Sequence, residues 1–249
     1  MTSTDKKKKV KVQCAKCSVE FRERACMKPG GGPSAGCPTV SAKNLLAKAL
    51  REYQSPENRE FARHASIQEG ECYSGRERQP YVIHPVKPRI LEICEFAQKM
   101  GYRRLGIIFC AGLANEAAMA SDFYEEKGFQ VASVMCKAGC VPKEEIGLSD
   151  HEKIFRGNHE SMCNPIFQAM VANEEGVDFN VLLGLCVGHD SLFFKYAEAP
   201  STVLAVKDRV TGHNPLAALY LSGSYYAWLK KPYHKESVFF RPISDSSAG

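Results

Sequence analysis

The sequence predicts an α/β fold: an open, mainly parallel sheet with helices on both faces, preceded by a small Cys-rich metal-binding segment. Three observations carry that expectation. Short apolar runs at residues 104–110, 130–136 and 180–186 each end on a cysteine, and stretches of helical pattern separate them. Strand and helix alternating at that spacing is the mark of βαβ units. A chain of 249 residues, 44% hydrophobic, is long enough to build a full core without disulfide staples. Residues 14–38, in contrast, are poor in large aliphatics and hold Pro29-Gly-Gly-Gly-Pro33, which suits neither a helix nor a buried strand. The expected division is a basic tail and Cys-rich module at 1–40, then an α/β domain at 41–249.

The elements follow in order. Ser41 caps a helix to about Gln54, with Leu45, Leu46, Ala49 and Leu50 on one face. Ser55-Pro56 opens a second helix that ends near Gly70, with proline at its first position. Residues 72–85 show no period and read as a long crossing loop. Pro88 opens a third helix, with Ile90, Leu91, Cys94, Phe96 and Ala97 on its apolar side, and Gly101 stops it. A regular alternation then begins: strand 104–110, helix 114–127, strand 129–136, an irregular stretch at 137–160, and a helix from Pro165 to about Asn173. Strand 179–186, helix 190–197, strand 202–207 and helix 215–220 complete it, with an edge strand expected at 237–240. Asn164-Pro165 and Asn214-Pro215 both read as sharp helix starts, and good capping chemistry explains their likeness without an internal repeat.

Composition narrows the function classes. The net charge of +5 is mild, and much of it lies in Lys6-Lys-Lys-Lys9, which reads as a solvated tail. No aromatic–basic stripe occurs elsewhere, so nucleic acid is set aside as a partner. No apolar run approaches the ~18–20 residues of a spanning helix, and no secretory h-region follows Met1, so no membrane partner is expected. A cytoplasmic location follows, where cysteines stay reduced. Eleven cysteines cannot all pair internally, which favours metal over disulfides. Walker, G-x-G-x-x-G and G-x-S-x-G motifs are absent.

The cysteines form two quartets. Cys110, Cys136 and Cys186 end three expected strands, and Cys163 directly precedes a helix start. In a parallel sheet ligands bind beyond the carboxyl ends of the strands, so these four point at one place. Thiolates at one place hold zinc or an iron–sulfur cluster, and wide spacing suits a cluster cradled by a preformed domain. Taken singly, each would be an ordinary buried small hydrophobe, and Cys72 and Cys94 are read that way. The second quartet, Cys14, Cys17, Cys26 and Cys37, has one tight pair and two spread members, and suits zinc or an iron–sulfur cluster. Cys140, four residues past Cys136, reads as an extra ligand or a resolving thiol.

Polar groups gather at the same expected edge. His189 and Asp190 follow the Cys186 strand, with His189 as acid, base or ligand and Asp190 as an N-cap. Lys207, Asp208 and Arg209 follow the next strand, and His213 and Asn214 precede the last helix. Together they would hold a small anion, although strand-end loops are polar in any protein.

Leu105-Gly-Ile-Ile-Phe-Cys-Ala-Gly-Leu-Ala-Asn-Glu116, Cys136-Lys137, Cys163-Asn-Pro165, Gly184-Leu-Cys-Val-Gly-His-Asp-Ser-Leu-Phe193 and Lys207-Asp-Arg-Val-Thr-Gly-His-Asn-Pro215 resemble a prokaryotic family. It is the cysteine-rich predicted metal-binding family filed as domain of unknown function eighteen-forty-seven. The likeness runs from Cys14 to about Tyr226. It implies a zinc site on Cys14, Cys17, Cys26 and Cys37, with a longer Cys17–Cys26 gap and an unusual triple-glycine insert here, and it implies no activity. The leading expectation is an iron–sulfur protein or enzyme with a [4Fe–4S] cluster on Cys110, Cys136, Cys163 and Cys186, or on three of them with an open iron. It would act on a small anionic substrate by redox or sulfur transfer, or serve an electron-transfer partner. His189, Asp190, Lys207, Asp208 and His213 are the catalytic candidates. Two alternatives stand beside it: a non-catalytic zinc-binding or metal-sensing module, and a thiol enzyme using Cys186 with His189 as base.

Overall fold

The computed structural model describes residues 11–231, so the strand expected at 237–240 lies outside the described residues. The chain divides into two compact units, 1–69 and 70–249. The first holds the Cys-rich segment, with single 3-10 turns at Cys14–Lys16 and Phe21–Glu23, then α1 (Pro38–Ser41) and α2 (Lys43–Glu52). The one helix expected here is broken at Ala42, whose φ of −119° and ψ of 33° leave the helical region. α3 (Pro56–Glu71) runs across the boundary between the units. No residue from 11 to 60 is buried, and Leu45, Leu46 and Leu50 of α2 are at least half exposed. Apolar burial does not order this segment.

In the second unit, β1 (Tyr73–Ser74) pairs antiparallel with β2 (His84–Pro85) where a crossing loop was expected. Each strand contributes only two residues, too few to leave a period in the sequence. The Val86 N–H donates to the Cys72 carbonyl at 2.8 Å and closes the ladder. α4 (Arg89–Lys99) follows and buries Ile93, Cys94, Phe96 and Ala97.

Then come β3 (Arg104–Phe109), α5 (Ala114–Glu126), β4 (Gln130–Met135), α6 (Pro165–Glu174), β5 (Phe179–Leu183), α7 (His189–Tyr196), β6 (Ser201–Ala205) and α8 (Leu216–Tyr220). The four long strands form one parallel sheet in the order β4-β3-β5-β6, flanked by helices, so the expected α/β class is met. All five residues of β5 are buried, as are Leu105, Ile107 and Ile108 of β3, which is how central strands of a parallel sheet read. Each of the apolar side chains among them contributes about 1.5–3 kcal/mol by leaving water; the buried amide of Asn180 does not. Ala117 and Ala120 of α5, with Ala169 and Ala172 of α6, are buried small residues that let these helices lie close to the strands.

The strand order fixes where a site can form. From β3 the chain crosses to β4 on one side, and from β5 to β6 on the other, so the topological switch point lies between β3 and β5. Phe109 pairs with both Met135 and Leu183, which brings the next residues of three strands to one level. β5 stops earlier than the apolar run suggests, because Gly184 turns into the left-handed region at φ 70° and the β5–β6 register shifts between Leu182 and Leu183. Irregularities of this kind re-aim side chains and collect beside functional sites.

Candidate metal and thiol site

Cys110 directly follows β3, Cys136 directly follows β4, and Cys163 lies before α6, where Asn164 caps the helix by accepting the Phe167 N–H. Backbone hydrogen bonds tie these positions together. Cys110 N–H donates to Leu183 O at 3.1 Å, Cys136 N–H to Phe109 O at 2.8 Å, and Asn164 N–H to Cys136 O at 2.8 Å. The Cys136 and Cys163 sulfurs stand 3.8 Å apart, and the Ala111 N–H donates to Cys136 Sγ at 3.3 Å. Cys110 also interacts with Cys136, so the three thiols form a line of contacts through Cys136.

The electrostatics follow from that line. The Cys136 thiol holds Cys110 down to about 5, with help from the Gly112 N–H and the Lys207 ammonium and against the effect of burial. Cys163 is held down to about 4 by Cys136 and then by His189, with Lys137 adding positive charge. Cys136 is pushed well above the usual thiol range because both neighbours draw on its proton. One S–H serves one neighbour at a time, which is why the second donors, Lys207 and His189, matter. His189 in turn is raised by Cys163.

Cys186 has a different partner: Arg209 Nη2 donates to its sulfur at 3.1 Å. His189 thus pairs with Cys163, and the Cys186–His189 pairing expected for a thiol enzyme is replaced by Cys163–His189. Asp190 lies inside α7 rather than at its cap, which is Gly188; its carboxylate accepts the Gly188 and Ser191 N–H groups. Asp208 is held below the usual carboxylate range by Thr211 and the Val210 and Thr211 N–H groups, so it folds the loop after β6. His213, at φ 66°, turns Nδ1 to the Asp208 N–H and Val206 O in that same loop. α8, which begins only at Leu216, is five residues long and offers little dipole for an anion at Asn214-Pro215.

Among the described residues no three Cys, His, Asp or Glu side chains stand as a set that would ligate one metal ion. The sheet-edge sulfurs lean on one another instead. Their donor chemistry fits a thiolate-held group for Cys110, Cys136 and Cys163, with Cys186 engaged by Arg209. In the Cys-rich segment Cys14 and Cys26 are exposed and Cys17 and Cys37 half-buried; Ser34 and the Val19 N–H lower Cys17.

One residue escaped the sequence reading. Gln168 of α6 is fully buried, and its Nε2 donates to Val134 O at 2.7 Å and Phe109 O at 3.2 Å, bridging the ends of β4 and β3. Its signal was a lone polar residue on the helix face that carries Pro165, Ala169 and Ala172.

Comparison with known proteins gives a family but no activity. A structure of Dph2 from Pyrococcus horikoshii with a 4Fe-4S cluster overlays 57% of this chain and 33% of its own, with 18% identity and a TM-score of 0.30. A likeness that slight carries no argument about chemistry, and this chain spans a third of that one. An uncharacterised protein of Methanocaldococcus jannaschii is 41% identical over 189 residues, 76% of this chain and 88% of its own. The model of the family described as "Protein of unknown function (DUF1847)" matches residues 37–204, a span that takes in all four sheet-edge cysteines and His189, and the chain belongs to that family.

Proposed function

We propose that this protein binds metal through its cysteines and works as an iron–sulfur protein on a small anionic substrate at the C-terminal edge of the sheet. The observation that carries the reading is the line Cys110–Cys136–Cys163 at the β3/β5 switch point, with two of its sulfurs in the thiolate range. Thiolates in a preformed α/β crevice are what a cluster needs from a protein. Cys110, Cys136 and Cys163 would hold it, with Cys186 the fourth sulfur of the edge. The group would supply one-electron chemistry or an open iron for an anion. His189 holds a proton beside Cys163, and Lys207 and Arg209 bring positive charge to Cys110 and Cys186. Cys14, Cys17, Cys26 and Cys37 would take zinc or a second cluster, and that binding would supply the order that burial does not.

The test is iron, zinc and acid-labile sulfide analysis, with a visible spectrum, on protein purified without oxygen. Iron with matching sulfide that falls in Cys110→Ser and Cys163→Ser supports the reading. Zinc alone, unchanged in those variants, overturns it and leaves a zinc-ordered module. A second reading rests on the Cys163–His189 contact: a thiol enzyme with Cys163 as nucleophile and His189 as its proton partner. It requires that metal-free protein take one equivalent of iodoacetamide on Cys163 before any other thiol, and that His189→Gln remove that preference.

A further inference from the structure

Past β4 the chain turns at 136–140, where Cys140 N–H donates to Lys137 O, and then runs beside its own return at 158–163. Pro142 bridges antiparallel to Ser161, Met162 N–H donates to Val141 O at 2.8 Å, and Lys143 N–H donates to Glu160 O at 3.0 Å. That ladder brings together three side chains, two of them exposed and the third, Ser161, half-buried. Cys140 Sγ lies 3.7 Å from His159 Nε2 and 3.5 Å from Ser161 Oγ, and His159 Nε2 lies 3.1 Å from Ser161 Oγ. Cys140 and His159 are both exposed.

Two features separate this cluster from a chance surface contact. Cys140 follows Gly139 into the left-handed region at φ 50°, a position that glycine would fill without strain. The frame around it is also pinned: Lys143 pairs with Glu160 at 2.6 Å, and the Lys153 ammonium, 4% exposed, pairs with Glu144 and Asp150 at 2.9 and 2.8 Å. The Lys137 ammonium donates to the Ser161 carbonyl from the inner side. A nucleophilic sulfur, an imidazole nitrogen within reach of its proton and a hydroxyl bridging the two make a reactive-thiol arrangement.

We propose that Cys140, His159 and Ser161 form a second, solvent-facing thiol site that exchanges with disulfides of small thiols. In the step, the Cys140 sulfur attacks one sulfur of the disulfide while His159 takes the Cys140 proton. The reagent's S–S bond breaks as a new one forms to Cys140. The leaving sulfur departs as a thiolate and receives the proton from His159. Cys140 is oxidised to a mixed disulfide, and half of the small disulfide is reduced to thiol. The site stands on its own geometry and does not depend on a metal at the sheet edge.

Hydroxyethyl disulfide, small and uncharged, is the probe. The native protein is mixed with it, samples are quenched with acid over time, and adducts are assigned by peptide mass mapping. The same chain unfolded in urea gives the reactivity of Cys140 without its neighbours. Cys140 is expected to react roughly a hundredfold faster in the native protein than in the unfolded chain, the lower reach of general-base assistance. His159→Gln, an exposed substitution, should remove that advantage and leave the rates at Cys14 and Cys26 unchanged. A native Cys140 no faster than the unfolded one, or a His159→Gln rate equal to wild type, overturns the proposal.

Discussion

Replacing Gln168 by leucine, nearly the same in volume, removes the amide that bridges β3 and β4 beneath Cys110 and Cys136. Two hydrogen bonds are lost, at 2.7 Å to Val134 O and 3.2 Å to Phe109 O, each worth about 1 kcal/mol net. Phe109 O keeps its bond from the Cys136 N–H at 2.8 Å, and the parallel β3–β4 register aims the Phe109 N–H at Val134 O, so neither carbonyl is left without a donor. The buried Gln168 Oε1 has no hydrogen-bond partner, and leucine removes that penalty of about 1–3 kcal/mol. The two lost bonds and the removed penalty nearly cancel, so the urea midpoint should move by the equivalent of about 1 kcal/mol or less, at unchanged slope. Hydrogen exchange supplies the local readout: the Cys136 amide should exchange faster in Gln168→Leu than in wild type. A variant with wild-type Cys136 protection would refute the clamp.

Other outcomes follow from the same geometry. Lys207→Met removes positive charge beside Cys110, so its thiol should rise from about 5 and its alkylation rate at pH 6 should fall, with Cys163 unaffected. Gly184→Ala places a Cβ 2.1 Å from Leu113 Cδ1 at φ 70°, so the left-handed backbone and the clash should together lower stability by about 1–2 kcal/mol or more in urea titration. Glu160, 7% exposed in its side chain, is held at about 2 by Lys143 and the Phe155 and Ile154 N–H groups. Its folded pKa lies below an unfolded value near 4.3, so its stabilisation is complete above that value and is lost as pH falls towards about 2. Between those limits the wild-type urea midpoint should fall more steeply than that of Glu160→Gln.

The central strands were legible because a buried parallel strand reads as a continuous apolar run, and β3 and β5 do. Their cysteines were legible as a set for the same reason: a residue just past an apolar run in such a sheet lands on one edge. Distances between those sulfurs were not legible, since they depend on where loops return. Cys163 reaches Cys136 because the 141–162 ladder folds the long connection back, and isolated bridges leave no pattern in a sequence. The partner exchange among His189, Cys163, Cys186 and Arg209 was hidden for a related reason. His189 is three residues from Cys186 along the chain, but as the first residue of α7 it meets a thiol twenty-six residues earlier instead. Gln168 shows a third kind of loss: glutamine on a helix reads as solvent-facing until its carbonyl partners are known.

The line of sulfurs has a consequence for a chain made from its N-terminus. Cys110, Cys136 and Cys163 are all synthesised before His189, Lys207 and Arg209, the basic groups that face Cys163, Cys110 and Cys186. At roughly 5–20 residues per second, the Cys110 sulfur waits on the order of 5–20 s for its ammonium partner. During that wait Cys110 and Cys163 have the Cys136 thiol beside them but not Lys207 and His189, the donors that supplement it. The final two strands, arriving last, therefore act as the step that arms the edge. Truncated or stalled chains would carry the sulfurs without those donors.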